Sequence, residues 1–206
     1  MVLALRDIID VMEDIAHDTV NLQGKVKAEK KDEDLMLAYQ AGDLKAFEEL
    51  YMRHKTAVFR YLVRQGISHA IAEELLQEVW SAIIKGRKKY KPSAKFTTWL
   101  YQISRHRLID YFRRHQTHLT LLDDDEVESD EEYSSDELTK EEQLEKVLVA
   151  VAELPFPQRQ AFLLHYEAGL SSRQVSEITQ EHPEAVKSSL RYAIRKLKLR
   201  LGLQDD

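Results

Sequence analysis

Between Phe47 and Leu62 apolar and aromatic side chains return every third or fourth residue, at Phe47, Leu50, Tyr51, His54, Val58, Tyr61 and Leu62. That period belongs to a helix with one buried stripe. A shorter helix precedes it, opening on Leu35, Leu37, Ala38 and Tyr39, and Ala41-Gly42-Asp43 separates the two. Asp43 is placed to cap the second helix, because its carboxylate can accept from the orphan N–H groups of the first turn. Gln65-Gly66-Ile67-Ser68 stops that helix, and Ser68 can cap the next. From His69 to Ile84 the period resumes at Ile71, Leu75, Val79 and Ile83. It vanishes between Lys85 and Lys95, where Gly86 and Pro92 point to a loop. A fourth helix is predicted from Thr97 to Arg114, with Trp99, Leu100, Ile103, Leu108, Ile109 and Phe112 as its apolar positions and Thr97 or Thr98 as its cap.

A second group of helices begins after a long polar gap. Leu144, Val147, Leu148, Val151 and Leu154 form one stripe, ended by Pro155 and Pro157. A helix from about Gln158 to Glu167 follows, then a turn at Ala168-Gly169-Leu170. Ser171 and Gln174 have the spacing of a capping box opening a short helix that buries Val175 and Ile178. Pro183 suits the first position of a longer helix that buries Val186, Leu190 and Leu197. The first 31 residues repeat apolar positions at Leu5, Ile8, Met12, Ile15 and Leu22. A docked helix and a loosely attached extension both fit that pattern. The fold class expected is all-α: two helical domains joined by a flexible acidic linker.

Charge adds the domain boundaries. The chain of 206 residues has a net charge of −6, but residues 33–114 hold 15 basic and 9 acidic residues. Residues 115–143 hold 12 acidic residues and a single lysine. The acidic pI therefore comes from one short stretch, which has too little apolar surface to form a core and reads as a linker. The expected division is an N-terminal extension (1–32), a basic helical domain (33–116), the acidic linker (117–143) and a nearly neutral helical domain (144–206). With no cysteine, disulfides and thiolate metal sites are excluded. No apolar run approaches the roughly 18 residues of a membrane span, and no signal-peptide core is present, so a cytoplasmic protein is expected.

Candidate chemistry gathers in two places. The helix after Ser68 carries an acidic outer face of Glu73, Glu74, Gln77 and Glu78, which suits either solvent or a basic partner protein. The loop beyond it holds Lys85, Arg87, Lys88, Lys89 and Lys91, with Tyr90 inside and Phe96 just after it. Cations track phosphates and aromatic rings stack on unpaired bases, so this mixture fits single-stranded nucleic acid. In the C-terminal domain, a short helix, a tight turn and a longer basic helix with Lys187, Ser188, Arg191, Tyr192 and Arg195 make a helix-turn-helix, whose second helix is shaped for a major groove. The eight histidines are scattered without metal-ligand spacing, and no Gly-rich phosphate loop occurs. Neither a catalytic centre, a metal nor a cofactor is expected. His165 and His182 are read as packing or capping residues.

In this order the segments resemble the extracytoplasmic-function (ECF) branch of the bacterial sigma-70 family. AGDLKAFEELYMRH is similar to the family's first conserved segment, and AEELLQEVW to its core-polymerase-binding segment. KFTTWLYQISRHRLIDYFRR resembles its promoter-melting segment. The run from Glu153 to Leu197 resembles its minus-thirty-five-binding segment. The departures are Glu74 for Asp, Trp80 for Phe, His106 for Asn, Ala185 for Thr, and Ser189 and Tyr192 for two Arg.

The resemblance implies a specificity subunit without catalysis of its own. Its partners would be core RNA polymerase, promoter DNA and an anti-sigma factor, without membrane insertion. Core polymerase would meet Glu73, Glu74, Gln77 and Glu78. The minus-ten element would meet Lys85, Arg87, Lys88, Lys89, Tyr90, Lys91, Phe96, Thr98, Trp99, Arg105, His106, Arg113 and Arg114, with Trp99 read equally well as core. The minus-thirty-five duplex would meet Ser172, Arg173, Lys187, Ser188, Arg191, Tyr192 and Arg195. The linker would pass near the active-site cleft, where a polyanion can stand in for nucleic acid. A helix-turn-helix repressor explains residues 171–200 but leaves 72–114 without a task; an enzyme has no metal spacing, phosphate loop or cysteine nucleophile to rest on, and a pure interaction bundle would direct no promoter-specific transcription.

Overall fold

The first described helix, α1 (Asp32–Gln40), opens on Asp32, Glu33 and Asp34, three carboxylates that suit the positive end of a helix dipole. It appears in a computed structural model that describes residues 30–115 and 140–202. The N-terminal extension and most of the acidic linker lie outside these residues. After α1 the chain reverses at Gly42, whose φ of +108° is a glycine conformation. Asp43 then caps α2 (Leu44–Val63) as expected, accepting from the N–H groups of Lys45 and Ala46 at 3.0 and 3.3 Å. Ser68 caps α3 (His69–Gly86) by accepting from Ile71.

Here the structure departs from the sequence pattern. Helix α3 runs through Lys85 and Gly86, and Arg87–Lys89 form one further 3-10 turn. The loop expected at Lys85–Lys95 shrinks to Tyr90–Lys95. Helix α4 spans Phe96–Arg114, and no threonine caps it. Its first N–H, that of Phe96, is instead satisfied by Glu33 Oε1 of α1 at 2.9 Å. A cap from 63 residues away leaves no local signature.

In the C-terminal half, α5 (Lys140–Ala152) starts inside the stretch assigned to the linker. Helix α6 (Phe156–Phe162) ends in one turn of π-helix at Leu163–Glu167, closed by Ala168 N–H donating to Leu163 O and by Leu170 N–H donating to Leu164 O. Helix α7 (Ser172–Thr179) opens with the expected Ser171–Gln174 capping box. Gln180 turns the chain in the left-handed region at φ 61°, and His182 Nδ1 accepts from Glu184 N–H at the start of α8 (Pro183–Arg200). His165 Nδ1 lies 2.7 Å from Leu170 O. Both histidines are thus local structural groups, as read. Among the described residues there is no strand.

Leu35, Met36, Leu50, Leu62, Leu75, Ile83, Phe96 and Leu100 are among the fully enclosed side chains of the N-terminal half. Trp80 packs edge-on against Phe47 and Tyr51, with ring centres 5.8 and 5.0 Å away. Its indole N–H has no partner. Phe162, Val175, Ile178, Val186 and Ala193 play the same part in the C-terminal half.

The two halves also pack together: their buried apolar side chains form one continuous core, and a set of buried polar contacts crosses between them. Tyr61 donates its hydroxyl to Gln160 Oε1 at 2.6 Å, and Gln160 Nε2 donates to Gln65 Oε1 at 2.6 Å. All three are buried, and burial pushes the Tyr61 phenol up, keeping it a neutral donor. Glu167 is ion-paired with Arg64 at 2.7 Å and Arg60 at 3.5 Å. Burial raises the Glu167 carboxyl above its ordinary value, only partly offset by Arg64 and Arg60. Gln174 Nε2 donates to Thr98 Oγ1 at 3.1 Å, and Phe112 meets Phe156 edge-on.

Candidate nucleic-acid and polymerase interface

The acidic face is where the periodicity of α3 puts it. Glu73, Glu74 and Gln77 are exposed, opposite the buried Ala72, Leu75 and Val79. Glu78 is half-buried instead. It faces Arg107 at 3.9 Å and Arg114 at 3.8 Å across the α3–α4 seam. Arg114, expected on the DNA side, therefore lies beside the acidic face, and shares a groove with Ile71, Glu74, Leu75, Glu78, Tyr111 and His115. Arg113 is exposed and ion-paired with Asp110 at 2.9 Å.

The basic segment keeps its cations but loses most of its rings. Lys85, Lys88, Lys89 and Lys91 are exposed. Arg87 is half-buried, its guanidinium 5.4 Å from the centre of the Tyr39 ring. Tyr90 is 5% exposed and Phe96 0%. Tyr90 packs on Phe96 and Trp99, and its hydroxyl donates to Ala94 O at 3.1 Å. Burial, helped by the Glu33 and Asp32 carboxylates, pushes its phenol up to about 12. The expectation that Tyr90 and Phe96 stack on bases is corrected: both complete the core under α4. Thr98, also expected at DNA, is 4% exposed and bonded to Gln174. Arg105 is half-buried, its Nε without a partner, and acts electrostatically on Tyr61 at the contact between halves.

Trp99 and His106 remain. Trp99 is half-buried: one side rests on Tyr90, with ring centres 5.2 Å apart, and Gly86 lies close against the indole. With Lys89, Ile103 and His106 it lines a groove of about 470 Å³ between the end of α3 and α4. A polar rim with a half-exposed indole at its wall can hold one unstacked base, and the lysines beside it can hold the flanking phosphates.

On the helix-turn-helix, α8 buries Val186, Leu190, Ala193 and Leu197 and turns Lys187, Arg191, Tyr192 and Arg195 outward. Tyr192 is 57% exposed. Ser188 accepts from Arg191 at 3.1 Å, and Lys187 is paired with Glu184 at 2.8 Å. Arg173 is exposed on α7 beside Glu177, while Ser172 is half-buried. The sequence pattern does not single out Glu33, Gln40, Gln160 or Glu167, whose partners are all distant in the chain; nothing local marks them.

Two family models match, Sigma-70 region 2 over residues 50–118 and Sigma-70 region 4 over residues 144–197. The ECF RNA polymerase sigma factor SigM of Bacillus subtilis (strain 168) is 30% identical over 152 residues, 73% of this chain and 92% of its own length. The RNA polymerase sigma factor CarQ of Myxococcus xanthus is 27% identical over 167 residues, 81% of this chain and 95% of its own. The fold is similar to CnrH, solved in complex with the cytosolic domain of CnrY, with a TM-score of 0.64 at 19% identity over 83% of this chain and 97% of that one. It is also similar to the sigma factor RpoE of Bartonella quintana, solved with the anti-sigma factor NepR, with a TM-score of 0.63 at 19% identity over 78% and 99%. These matches, on a chain with an acidic face on α3, a groove walled by Trp99 and Lys89 and an outward basic helix in its helix-turn-helix, place it in the ECF branch of the sigma-70 RNA polymerase sigma factors, a family of transcription factors and not of enzymes.

Proposed function

We propose that this sigma factor docks on core RNA polymerase through Glu73, Glu74 and Gln77 of α3. It reads the minus-thirty-five duplex with α8 and captures the melted minus-ten strand at the Trp99–His106 groove. The basic N-terminal half and the C-terminal half, which begins with α5 at Lys140, act as the two promoter-reading domains, joined by the acidic linker between them. The observation that carries the reading is the separation of surfaces: three polar side chains, two of them acidic, on one helix face, and two basic reading surfaces elsewhere. Each well-made base contact from α8 contributes about 1–3 kcal/mol of discrimination. Extruding a base costs a few kcal/mol, and stacking on one indole returns about 1–3 kcal/mol, so Trp99 and the neighbouring lysines together offset one flipped base.

The two similar structures hold their sigma factors with CnrY and with the anti-sigma factor NepR. That supports control of this chain by an anti-sigma factor. Among the described residues no helix is long and apolar enough to cross a membrane. The test is in vitro transcription with core polymerase on a genomic library. Transcripts from a defined set of promoters are expected. A chain that binds duplex DNA but neither associates with core polymerase nor directs transcription would be a repressor instead.

A further inference from the structure

Of the basic segment, Lys85 lies in α3 and Lys88 and Lys89 in the 3-10 turn that continues it, while Lys91 stands on a stretch that does little to hold itself. Within Tyr90–Lys95 the backbone turn is closed by one long bond, from Tyr90 N–H to Arg87 O at 3.4 Å, and by the Tyr90 hydroxyl on Ala94. The Tyr90 ring rests on Phe96 and Trp99 of α4, and the hydrogen bonds that fix the two ends of the stretch come from α1. At the entry, the Gln40 amide donates to both Arg87 O at 2.6 Å and Tyr90 O at 2.9 Å. Arg87 itself leans on the Tyr39 ring. At the exit, Glu33 accepts from the first N–H of α4. Helix α1 is fixed in turn on α2: Asp32 is bonded to Arg53 at 2.9 Å and lies 2.7 Å from His54 Nε2, while Leu35, Met36 and Tyr39 are buried.

We propose that α1 is the positioning element of the minus-ten reader, with Gln40 and Glu33 as positioning residues that set where Lys88, Lys89, Lys91 and Trp99 stand before DNA arrives. This rests on the assignment of that segment to single-stranded minus-ten DNA. The physical reason is preorganisation. A cationic loop that is already ordered loses less conformational entropy on binding a strand than one that must be ordered by it. One amide bonded to two carbonyls holds the lysines without contacting the ligand.

The test uses the full chain in holoenzyme with core polymerase. The probes are a short single strand carrying the non-template minus-ten sequence of a recovered promoter and a duplex carrying its minus-thirty-five sequence. Gln40→Glu keeps the shape of the side chain but replaces the donor by oxygens facing two carbonyls. It is expected to weaken single-strand binding about tenfold, the scale of an added ordering cost, with minus-thirty-five affinity and core binding unchanged. Glu33→Gln keeps an acceptor for Phe96 N–H and should stay near the parent, whereas Glu33→Ala should weaken the single strand alone. Gln40→Ala, with its melting temperature recorded, guards against a folding defect in the charged variant.

Unchanged single-strand affinity in Gln40→Glu and Gln40→Ala, or equal losses on both probes, would overturn the proposal. A Lys88→Ala/Lys89→Ala variant separates the two levels. Loss of single-strand binding there but not in the Gln40 variants removes the positioning role alone. Full single-strand binding by the lysine variant removes the reading of the segment itself and the proposal with it.

Discussion

Trp99 and Phe96 lie three residues apart on one helix and differ in exposure, Phe96 enclosed and Trp99 on the wall of a groove. Phe96 is fully enclosed, between His54, Tyr90 and Trp99. Phe96→Ala should cost about 3–5 kcal/mol of stability, as large-to-small changes in a packed core do, and urea unfolding reads it directly. Trp99→Ala should weaken single-strand binding instead, by about 1–3 kcal/mol for the missing stack, while minus-thirty-five binding stays constant. In the sequence both rings are offered to the strand, and Trp99 rather than Phe96 is the one read equally well as core, because both fall near the start of the same helix next to the same lysines. What separates them is packing from α1 and α2, which adjacency in sequence does not report. Asp32 shows the same point with charge. Burial acts to raise its carboxyl, but the hydrogen bonds and charges of His54 and Arg53 outweigh it and hold the group below its ordinary 3.8. A carboxyl lowered on folding stabilises fully above its unfolded value, and that stability is lost as pH falls through the lowered one. The parent should therefore lose more stability below about pH 4 than Asp32→Asn does, a difference that acid-titrated unfolding would reveal.

At the scale of elements, the sequence is most legible where one helix decides matters alone. The stripes of α2 and α3, the Asp43 and Ser68 caps and the Ser171–Gln174 box all appear as expected, because each depends on residues within one helix or one turn. The start of α4 and the loop before it differ from expectation because their cap and anchors come from α1. The π-turn at Leu163–Glu167 is equally hidden: it extends the stripe of α6 and shows itself only when Glu167 swings towards Arg64. The recognition helix is legible because its buried and outward sets follow one period. For the basic element, removing Lys88 and Lys89 should lower the salt dependence of single-strand binding by about 0.7 in log–log slope for each phosphate that is no longer neutralised. Removing Tyr192 should leave that slope alone. Binding measured across a potassium chloride series checks both.

At the scale of the whole molecule, Gln160 is the central bridge between the halves. It is 1% exposed and joins Tyr61 and Gln65 of the other half. Gln160→Ala leaves a buried hydroxyl and a buried amide without that partner, and should loosen the contact by about 1–3 kcal/mol. Gln160→Leu/Tyr61→Phe removes both ends of the Tyr61–Gln160 bond and should recover that part of the loss, since an apolar replacement of both ends is close to neutral, while Gln65 Oε1 still lacks its donor. Distances between spin labels on α3 and α8 would follow either change. Unaltered distances in Gln160→Ala would show that the remaining contacts, the Glu167 ion pairs, the Gln174–Thr98 bond and the apolar packing around Phe112 and Phe156, hold the halves without it.

That bridge also bears on how the chain is made. Gln160 follows Gln65 by 95 residues and Tyr61 by 99. At roughly 5–20 residues per second of synthesis, the N-terminal half spends several seconds outside the ribosome before its partner exists. Glu33, in contrast, is already present when Phe96 emerges. The first half is thus born with its internal cap in place and with a patch facing water in which a tyrosine hydroxyl, a glutamine amide and two arginines stand beside the Phe112 ring. The polar groups of that patch can wait in solvent, hydrogen-bonded to water, and they interrupt what would otherwise be a continuous apolar strip inviting aggregation.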